Sequence, residues 1–280
     1  MLAGPTASGK SALALQLAQE QGGIIVNADA LQVYGNWTLL TARPAAADLA
    51  RAPHRLYGHV AADVPYSVGH WLQEMAALLA TGQRLIVVGG TGLYFRALTE
   101  GLAEIPPIPA DIRTNANRCR TDLAAMVAAL DGETRNRIDL ANPVRVQRAW
   151  EVLQATGRGL ADWQDATPPP LLPPDVATLL VLQPPPDWLA DRINRRFDAM
   201  MDQGALDEVR ANLPGWNPAQ PCSKAIGAAD LMAHLQGQIT LPDAVTHAKA
   251  ASRHYAKRQR TWFRARMKHW HNLKLQDTAA

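Results

Sequence analysis

Gly4-Pro5-Thr6-Ala7-Ser8-Gly9-Lys10-Ser11 stands three residues into the chain, and its spacing decides the first part of the fold. Glycine, four residues, then Gly-Lys-Ser is the pattern of a loop whose backbone N–H groups turn inward around a phosphate. Ala12, Leu13, Leu15 and Leu17 follow at helical spacing. A helix over residues 12–21 therefore begins where the loop ends and aims its positive end at the anion. The pattern predicts Lys10 against a terminal phosphate and the Ser11 hydroxyl on Mg²⁺. It says that the chain takes a phosphorylated ligand, not which one. Only Met1-Leu2-Ala3 precede Gly4, so the strand that carries the loop is short.

Outward from this loop, apolar runs alternate with helical patterns. Residues 23–26 read as a β-branched strand, 71–81 as a helix, and 84–88 as a second strand ending at Gly89-Gly90. Strands alternating with helices imply a parallel sheet. Residues 85–88 are apolar on both faces, as a central strand requires. Ile105-Pro-Pro-Ile-Pro109 then breaks the pattern, and residues 110–157 read as wholly helical. Proline clusters at 168–170, 173–174 and 184–186 bracket the apolar run 176–182, a strand returning to the sheet. Residues 189–212, 223–234 and 243–270 read as helices. The expected fold is α/β, a P-loop NTPase-like parallel-sheet core (residues 1–110 and 175–280) with an inserted all-helical domain (111–174).

With 48% hydrophobic and 19% charged residues among 280, the composition is that of an ordinary globular protein. No run approaches a membrane span, and no charged segment followed by an apolar stretch opens the chain as a secretory signal would. Cys119 and Cys222 stand alone, which reads as two reduced thiols in a cytoplasmic protein. Arginine outnumbers lysine 22 to 6, and no acid falls between Asp243 and Asp277. In that stretch Lys249, Arg253, Lys257, Arg260, Arg264 and Lys268 recur at steps of three and four, one helix face of six cations. Such a face is either solvated or compensated by a polyanion. Tyr255, Trp262 and Phe263 beside it read as core packing.

Two segments narrow the function. Asp29 follows a strand end, where open α/β sheets bind ligands. A carboxylate there holds Mg²⁺ through water, acts as a general base, or caps a helix. Gly89-Gly90-Thr91-Gly92-Leu93-Tyr94-Phe95 follows the next strand, where its glycines either bring backbone close to a partner or make a tight turn.

These pieces together resemble the tRNA dimethylallyltransferase (isopentenyltransferase) family over nearly the whole chain. The resemblance rests on residues 4–11, the Asp29 segment ending Gln32-Val33-Tyr34, Thr41-Ala42-Arg43-Pro44, Pro53-His54-Arg55-Leu56, Tyr66-Ser67 and residues 89–95. It continues through Asn142 with Arg145 to Arg148, Ala225-Ile226-Gly227, and Tyr255-Ala-Lys-Arg-Gln-Arg-Thr-Trp-Phe263. It implies transfer of a dimethylallyl group from dimethylallyl diphosphate to the N6 amine of the adenosine 3′ to a tRNA anticodon, with Mg²⁺. Residues 4–11 would hold the diphosphate. Asp29 would accept the N6 proton, Thr91 would contact the target nucleotide, and Lys10 would meet the leaving group. Residues Asp29, Ala30, Leu31 and Gln32 match a tRNA-contacting stretch, as do Arg113, Val144, Arg145, Val146, Gln147 and Arg148, and then Lys224, Ala225, Ile226 and Gly227. The expected partners are the anticodon stem-loop and the prenyl donor. No membrane is expected, and the chain is expected to work as a monomer.

Some positions depart from the family pattern. Ala30 replaces a serine beside the aspartate, Gly35 a basic residue, Leu39-Leu40 an Ile-Gly pair, and Ala228-Ala229 a Tyr-Lys or Tyr-Arg pair. Two rival readings use the same loop. A small-metabolite kinase would use ATP, with Arg113, Arg118 and Arg120 on a lid. A non-catalytic RNA-binding protein would use the loop only as an anion site.

Overall fold

The computed structural model describes residues 1–273, so residues 274–280 of the expected second core part lie outside the described residues. The described strands are β1 (Leu2–Ala3), β2 (Ile24–Asn27), β3 (His54–Arg55), β4 (Leu85–Gly89), β5 (Leu180–Leu182) and β6 (His271–Leu273). They pair in the order β3-β2-β4-β1-β5-β6, and each pairing is parallel. β4 lies between β2 and β1, which is why it is apolar on both faces. β1 is two residues long and buried, with Leu2 opposite both Val88 and Leu180.

Parallel strands need crossovers, and helices supply them. The chain divides into two compact units, Met1–Ala97 with Leu172–Ala280, and Leu98–Leu171. In the first unit α1 (Lys10–Gln21) follows β1, α2 (Ala46–Arg51) precedes β3, α3 (Val68–Leu79) precedes β4, and α4 (Gly92–Glu100) leaves β4 across the unit boundary. Helix α1 packs Ala14, Leu15 and Ala18 onto Leu2, Ile25, Ile86, Val88 and Leu182 of the sheet.

The second unit holds α5 (Ala110–Cys119), α6 (Leu123–Ala128), α7 (Gly132–Arg137), α8 (Pro143–Thr156) and α9 (Leu160–Asp165). Ala116, Met126 and Val146 form its core. Asn142 starts α8 as its N-cap, accepting from the Val144 and Arg145 amides, and Pro143 takes the first helical position, where its missing N–H costs nothing. The proline-rich stretch 105–109, which reads as a boundary, lies inside this unit.

Beyond β5 the first unit continues with α10 (Pro186–Asp202), α11 (Ala205–Asn212), α12 (Ala228–Leu235) and α13 (Leu241–Arg266). The single helix expected over 189–212 is two, because Gly204 at φ 98° ends one and starts the next. The helix expected from 223 starts at Ala228, after a 3₁₀ turn over Pro221–Lys224. The helix expected to 270 stops at Arg266, and β6 follows it. A second core gathers Val33, Tyr34 and Trp37 against Phe197, Ala228, Leu231, Ala244 and Ala248. Ala228 is fully buried in it, so the departure from a tyrosine there belongs to this packing.

Candidate active site

β2, β4 and β1 are parallel neighbours, so the segments leaving their carboxyl ends, residues 28–32, 90–92 and 4–9, come together. The third of these is tightly folded. Gly9 at φ 92° is the N-cap of α1, and Ala7 holds φ 61°. A Cβ on Gly4 would stand 2.8 Å from Ser8 Oγ, so only glycine lets the loop close on itself. Lys10 folds back, its Nζ donating to Pro5 O at 3.2 Å. The Thr6 amide donates to Gln259 Oε1 at 2.8 Å, and Arg196 donates to Thr6 Oγ1. Ser8 Oγ is buried with no partner among the described residues, a hydroxyl left for something the loop encloses. Ser11 is exposed on the first turn of α1.

Two cations are drawn into this loop. Burial lowers Lys10 to about 8, with Asp29 opposing that shift and Arg196 adding to it. Burial lowers Arg196 to about 10, with Arg192 next along α10 adding to it. A site that crowds two desolvated cations around a helix N-terminus calls for an anion.

Asp29 lies in a turn held from three sides. It is not a helix cap, since its Oδ1 accepts from the Leu31 amide at 2.9 Å in a turn of its own. Asn27, fully buried, accepts from the Asp29 amide through Oδ1 at 2.9 Å and donates through Nδ2 to Asp29 O at 2.9 Å and to Leu56 O at 3.0 Å. Thr91 Oγ1 accepts from the Ala30 amide at 3.0 Å, and the Thr91 amide donates to Ala28 O at 3.1 Å. Burial, and then the Asp29 charge, push Tyr57, Tyr94 and Tyr255 above their usual range, so all three phenols stay neutral.

The glycines of 89–92 bring backbone close to protein. A Cβ on Gly89 would stand 2.0 Å from Ala28 O, one on Gly90 2.3 Å from Gln259 Nε2, and one on Gly92 2.2 Å from the Trp262 ring. Helix α13 therefore lies directly against this segment.

Other residues singled out in the sequence do different work. Gln32 Nε2 holds the 41–42 turn, donating to Thr41 O and Ala42 O at 2.8 Å each. Leu31 is half-buried beside it. Near α12, Lys224 is exposed and Ile226 half-buried, while Ala225 and Gly227 are buried. Gly227 is the N-cap of α12 at φ 89°, with Phe197 3.0 Å from where a Cβ would be. In the second unit Arg113, Val144 and Arg145 are accessible, Val144 by 61%. Val146 is a correction, because its side chain is buried against Ala116 and Met126 and is withdrawn from any RNA. Gln147 donates to Asn117 and Glu151, and Arg148 lies 4.0 Å from Glu151.

The six-cation face also needs correction. Lys249 pairs with Asp198, Arg253 donates to Asn194 on α10 at 2.6 Å, and Lys268 lies past the helix end. Phe263 is buried and Trp262 packs on Gly92, in keeping with core roles.

The family model described as IPP transferase matches residues 32–266, and one described as isopentenyl transferase matches residues 1–60. The chain belongs to the IPP transferase family. It is 64% identical over 277 residues to a tRNA dimethylallyltransferase of Cereibacter sphaeroides, covering 98% of this chain and 88% of that one. It is 64% identical over 274 residues to a tRNA dimethylallyltransferase of Dinoroseobacter shibae, covering 96% and 92%. Among solved structures, a tRNA isopentenylpyrophosphate transferase of Bacillus halodurans superposes with a TM-score of 0.70 at 28% identity, covering 98% of this chain and 88% of that one. A eukaryotic dimethylallyltransferase acting on tRNA shares the fold with a TM-score of 0.82 at 23% identity, covering 98% and 72%.

In this IPP transferase four side chains at the site, Asn27, Arg196, Tyr255 and Gln259, are given no part in the site by the sequence, although Tyr255 and Gln259 fall in the closing segment of the family resemblance. Two carried a signal. Gln259 falls on the stripe Ala248, Ser252, Ala256, Phe263, where a polar residue is out of place. Arg196 sits three residues after buried Ile193, at the edge of the apolar stripe of α10.

Proposed function

We propose that this chain transfers a dimethylallyl group from dimethylallyl diphosphate to the N6 amine of the adenosine 3′ to the anticodon of tRNA, releasing diphosphate. One observation carries the reading: two desolvated cations, Lys10 at the start of α1 and Arg196 on α10, meet the loop after β1, and a fixed carboxylate, Asp29, stands in the turn after β2, with only β4 between those two strands. Desolvated cations whose hydrogen bonds go to neutral oxygens, Lys10 to Pro5 O and Arg196 to Thr6 Oγ1, suit a departing anion, and the carboxylate suits a proton leaving nitrogen. The names of the relatives support the same reaction. They give no support to the kinase alternative, which falls away.

We read residues 4–11 as a P-loop in an NTPase-like core and residues 98–171 as an inserted all-helical domain that meets the tRNA. The adenine nitrogen attacks C1 of the donor, the C1–O bond breaks, and its electron pair leaves on the diphosphate. The nitrogen gives its proton to Asp29, whose Oδ2 faces Gly90 and whose Oδ1 is held by Leu31. Lys10, Arg196, the buried Ser8 hydroxyl and the first-turn amides of α1 receive the diphosphate. Thr91 and Asn27 hold the Asp29 turn against the incoming base. Since the adenine is stacked in its loop, it must turn outward to reach the donor. Arg113, Arg145 and Lys224 provide phosphate contacts.

Among the described residues no three His, Cys, Asp or Glu cluster as a metal site. This donor set suits Mg²⁺, which keeps water and substrate phosphate oxygens and asks little of the protein. The exposed Ser11 hydroxyl would hold it, and it would neutralise charge on the leaving diphosphate. No described helix is long and apolar enough to cross a membrane. We read the chain as a monomer acting in the cytoplasm, where its substrate RNA is.

Mass spectrometry of nucleosides from unmodified tRNA, incubated with the protein, Mg²⁺ and dimethylallyl diphosphate, tests the reaction. The expected product is an adenosine carrying one prenyl group. Unaltered adenosine, with ATP consumed in a parallel incubation, would overturn it.

A further inference from the structure

We propose that Gln259 is the positioning residue that keeps the donor loop and the acceptor carboxylate in register. The inference rests on prenyl transfer being the reaction.

Gln259 lies on α13 and is 6% exposed. Its carboxamide reaches two segments at once. Oε1 accepts from the Thr6 amide at 2.8 Å, and Nε2 donates to Gly90 O at 2.9 Å. Thr6 belongs to the loop that carries Lys10, and its hydroxyl is held by Arg196. Gly90 precedes Thr91, whose hydroxyl accepts from Ala30, the residue after Asp29. Asp29 Oδ2 in turn faces Gly90. One side chain therefore sets the spacing between the group that receives the leaving anion and the group that receives the proton.

At the strand ends the two segments are joined by backbone, Gly4 N donating to Gly89 O at 3.3 Å. Past that bond they diverge, and the Gln259 amide spans the gap.

Filling the space does not explain the choice of residue. The neighbours on this stripe are Ala248, Ala256 and Phe263, and an apolar chain would pack there without a desolvation cost. A buried amide is tolerated only when its donors and acceptor are partnered, as here. The bridge also excludes any Cβ at position 90 and assigns one loop N–H to the helix instead of to the ligand. The oxygen and nitrogen of the Gln259 amide are both engaged by protein backbone, so its effect belongs in turnover. A misplacement of about 1 Å between reacting groups costs on the order of 10²-fold in rate.

Gln259→Met and Gln259→Glu, assayed beside the parent with dimethylallyl diphosphate and tRNA, test this. Gln259→Met keeps the length and loses the bonds. Its turnover should fall about 10- to 100-fold, while dissociation constants for inorganic pyrophosphate and for tRNA stay within about threefold. In Gln259→Glu the carboxylate opposes Gly90 O, but the protonated acid both donates and accepts as the amide does. Burial raises such an acid. The ratio of its turnover to the parent's should therefore rise as pH falls from about 8 to about 6, with the Gln259→Met ratio flat. If Gln259→Met does not fold, the Gln259→Glu ratio decides alone. A flat Gln259→Glu ratio, or Gln259→Met turnover within threefold of the parent, would overturn the positioning role. A parent that makes no prenylated adenosine would instead count against the proposed reaction.

Discussion

Asp29 has two oxygens with different duties. Oδ1 is occupied by the Leu31 amide, and Oδ2 faces Gly90, which leaves it for the proposed base role. Removing the carboxylate with Asp29→Ala should lower turnover by about 10²–10⁴-fold, the usual worth of a placed acid or base, with tRNA affinity changed far less. Single-turnover kinetics beside tRNA filter binding check this, and turnover within about threefold of the parent would remove Asp29 from the base role. Asn27 acts on the same turn from behind. Asn27→Ala leaves the Asp29 amide and two carbonyls without their partner, at about 1–3 kcal/mol. It should lower both the thermal midpoint and turnover. A variant that lost stability with its turnover intact would show that Asn27 holds the fold alone. Lys10 gives a pH signature. Because burial lowers it from 10.5 to about 8, the unfolded chain binds more protons across that window. The ligand-free protein therefore gains stability from Lys10 as pH rises from about 8 to 10.5. Donor binding runs the other way, since it needs the charged form. Calorimetry with dimethylallyl diphosphate should show the affinity advantage of the parent over Lys10→Met shrinking as pH rises past about 8.

At the scale of elements, the three segments that build the site differ in how openly the sequence displays them. Residues 4–11 are legible as a tight loop ahead of α1 because glycine at fixed spacing before a helix is a local signal. The role of residues 89–92 is not legible in the same way, because the partner that demands glycine is α13, far along the chain. Its Gln259 and Trp262 fill the space where Cβ atoms at 90 and 92 would stand. β6 is three residues long and carries no alternation of its own, so only its pairing with β5 defines it. The break at Gly204 hides in a helical pattern because Ala205 and Val209 again follow at helical spacing, although on a face turned away from that of Leu189, Ile193, Phe197 and Met200. The seating of α13 makes a prediction. Gly92→Ala must displace the Trp262 ring, an overpacking of about 1–3 kcal/mol, and should lower the urea midpoint accordingly. Trp262→Leu, which vacates part of that space, should recover part of the loss when the two are combined. Additive losses in the double variant would mean that the Trp262 ring is not what demands glycine there.

Across the whole molecule the net charge is only +3, yet the stretch from 244 onward has no acid until Asp277, an imbalance that makes it a candidate surface for tRNA phosphates. The structure sorts these cations. Lys249 already has Asp198 and Arg253 has Asn194, so both stabilise the packing of α13 on α10. Lys257, Arg258, Arg264 and Arg266 are exposed along α13, and Lys224 is exposed beside α12. Cations without an internal carboxylate to match their charge release counterions when phosphate arrives. The logarithm of tRNA affinity should therefore fall steeply with the logarithm of salt concentration. Each of Lys257→Ala, Arg258→Ala and Arg264→Ala should flatten that slope by about 0.7–0.9 for every phosphate that the side chain neutralises. Lys249→Ala should leave the slope alone and lower only the melting temperature, because its charge is matched inside the protein. A slope that responds equally to Lys249 and Lys257 would mean that RNA docks by the total charge of the stretch and not by the face that folding leaves open.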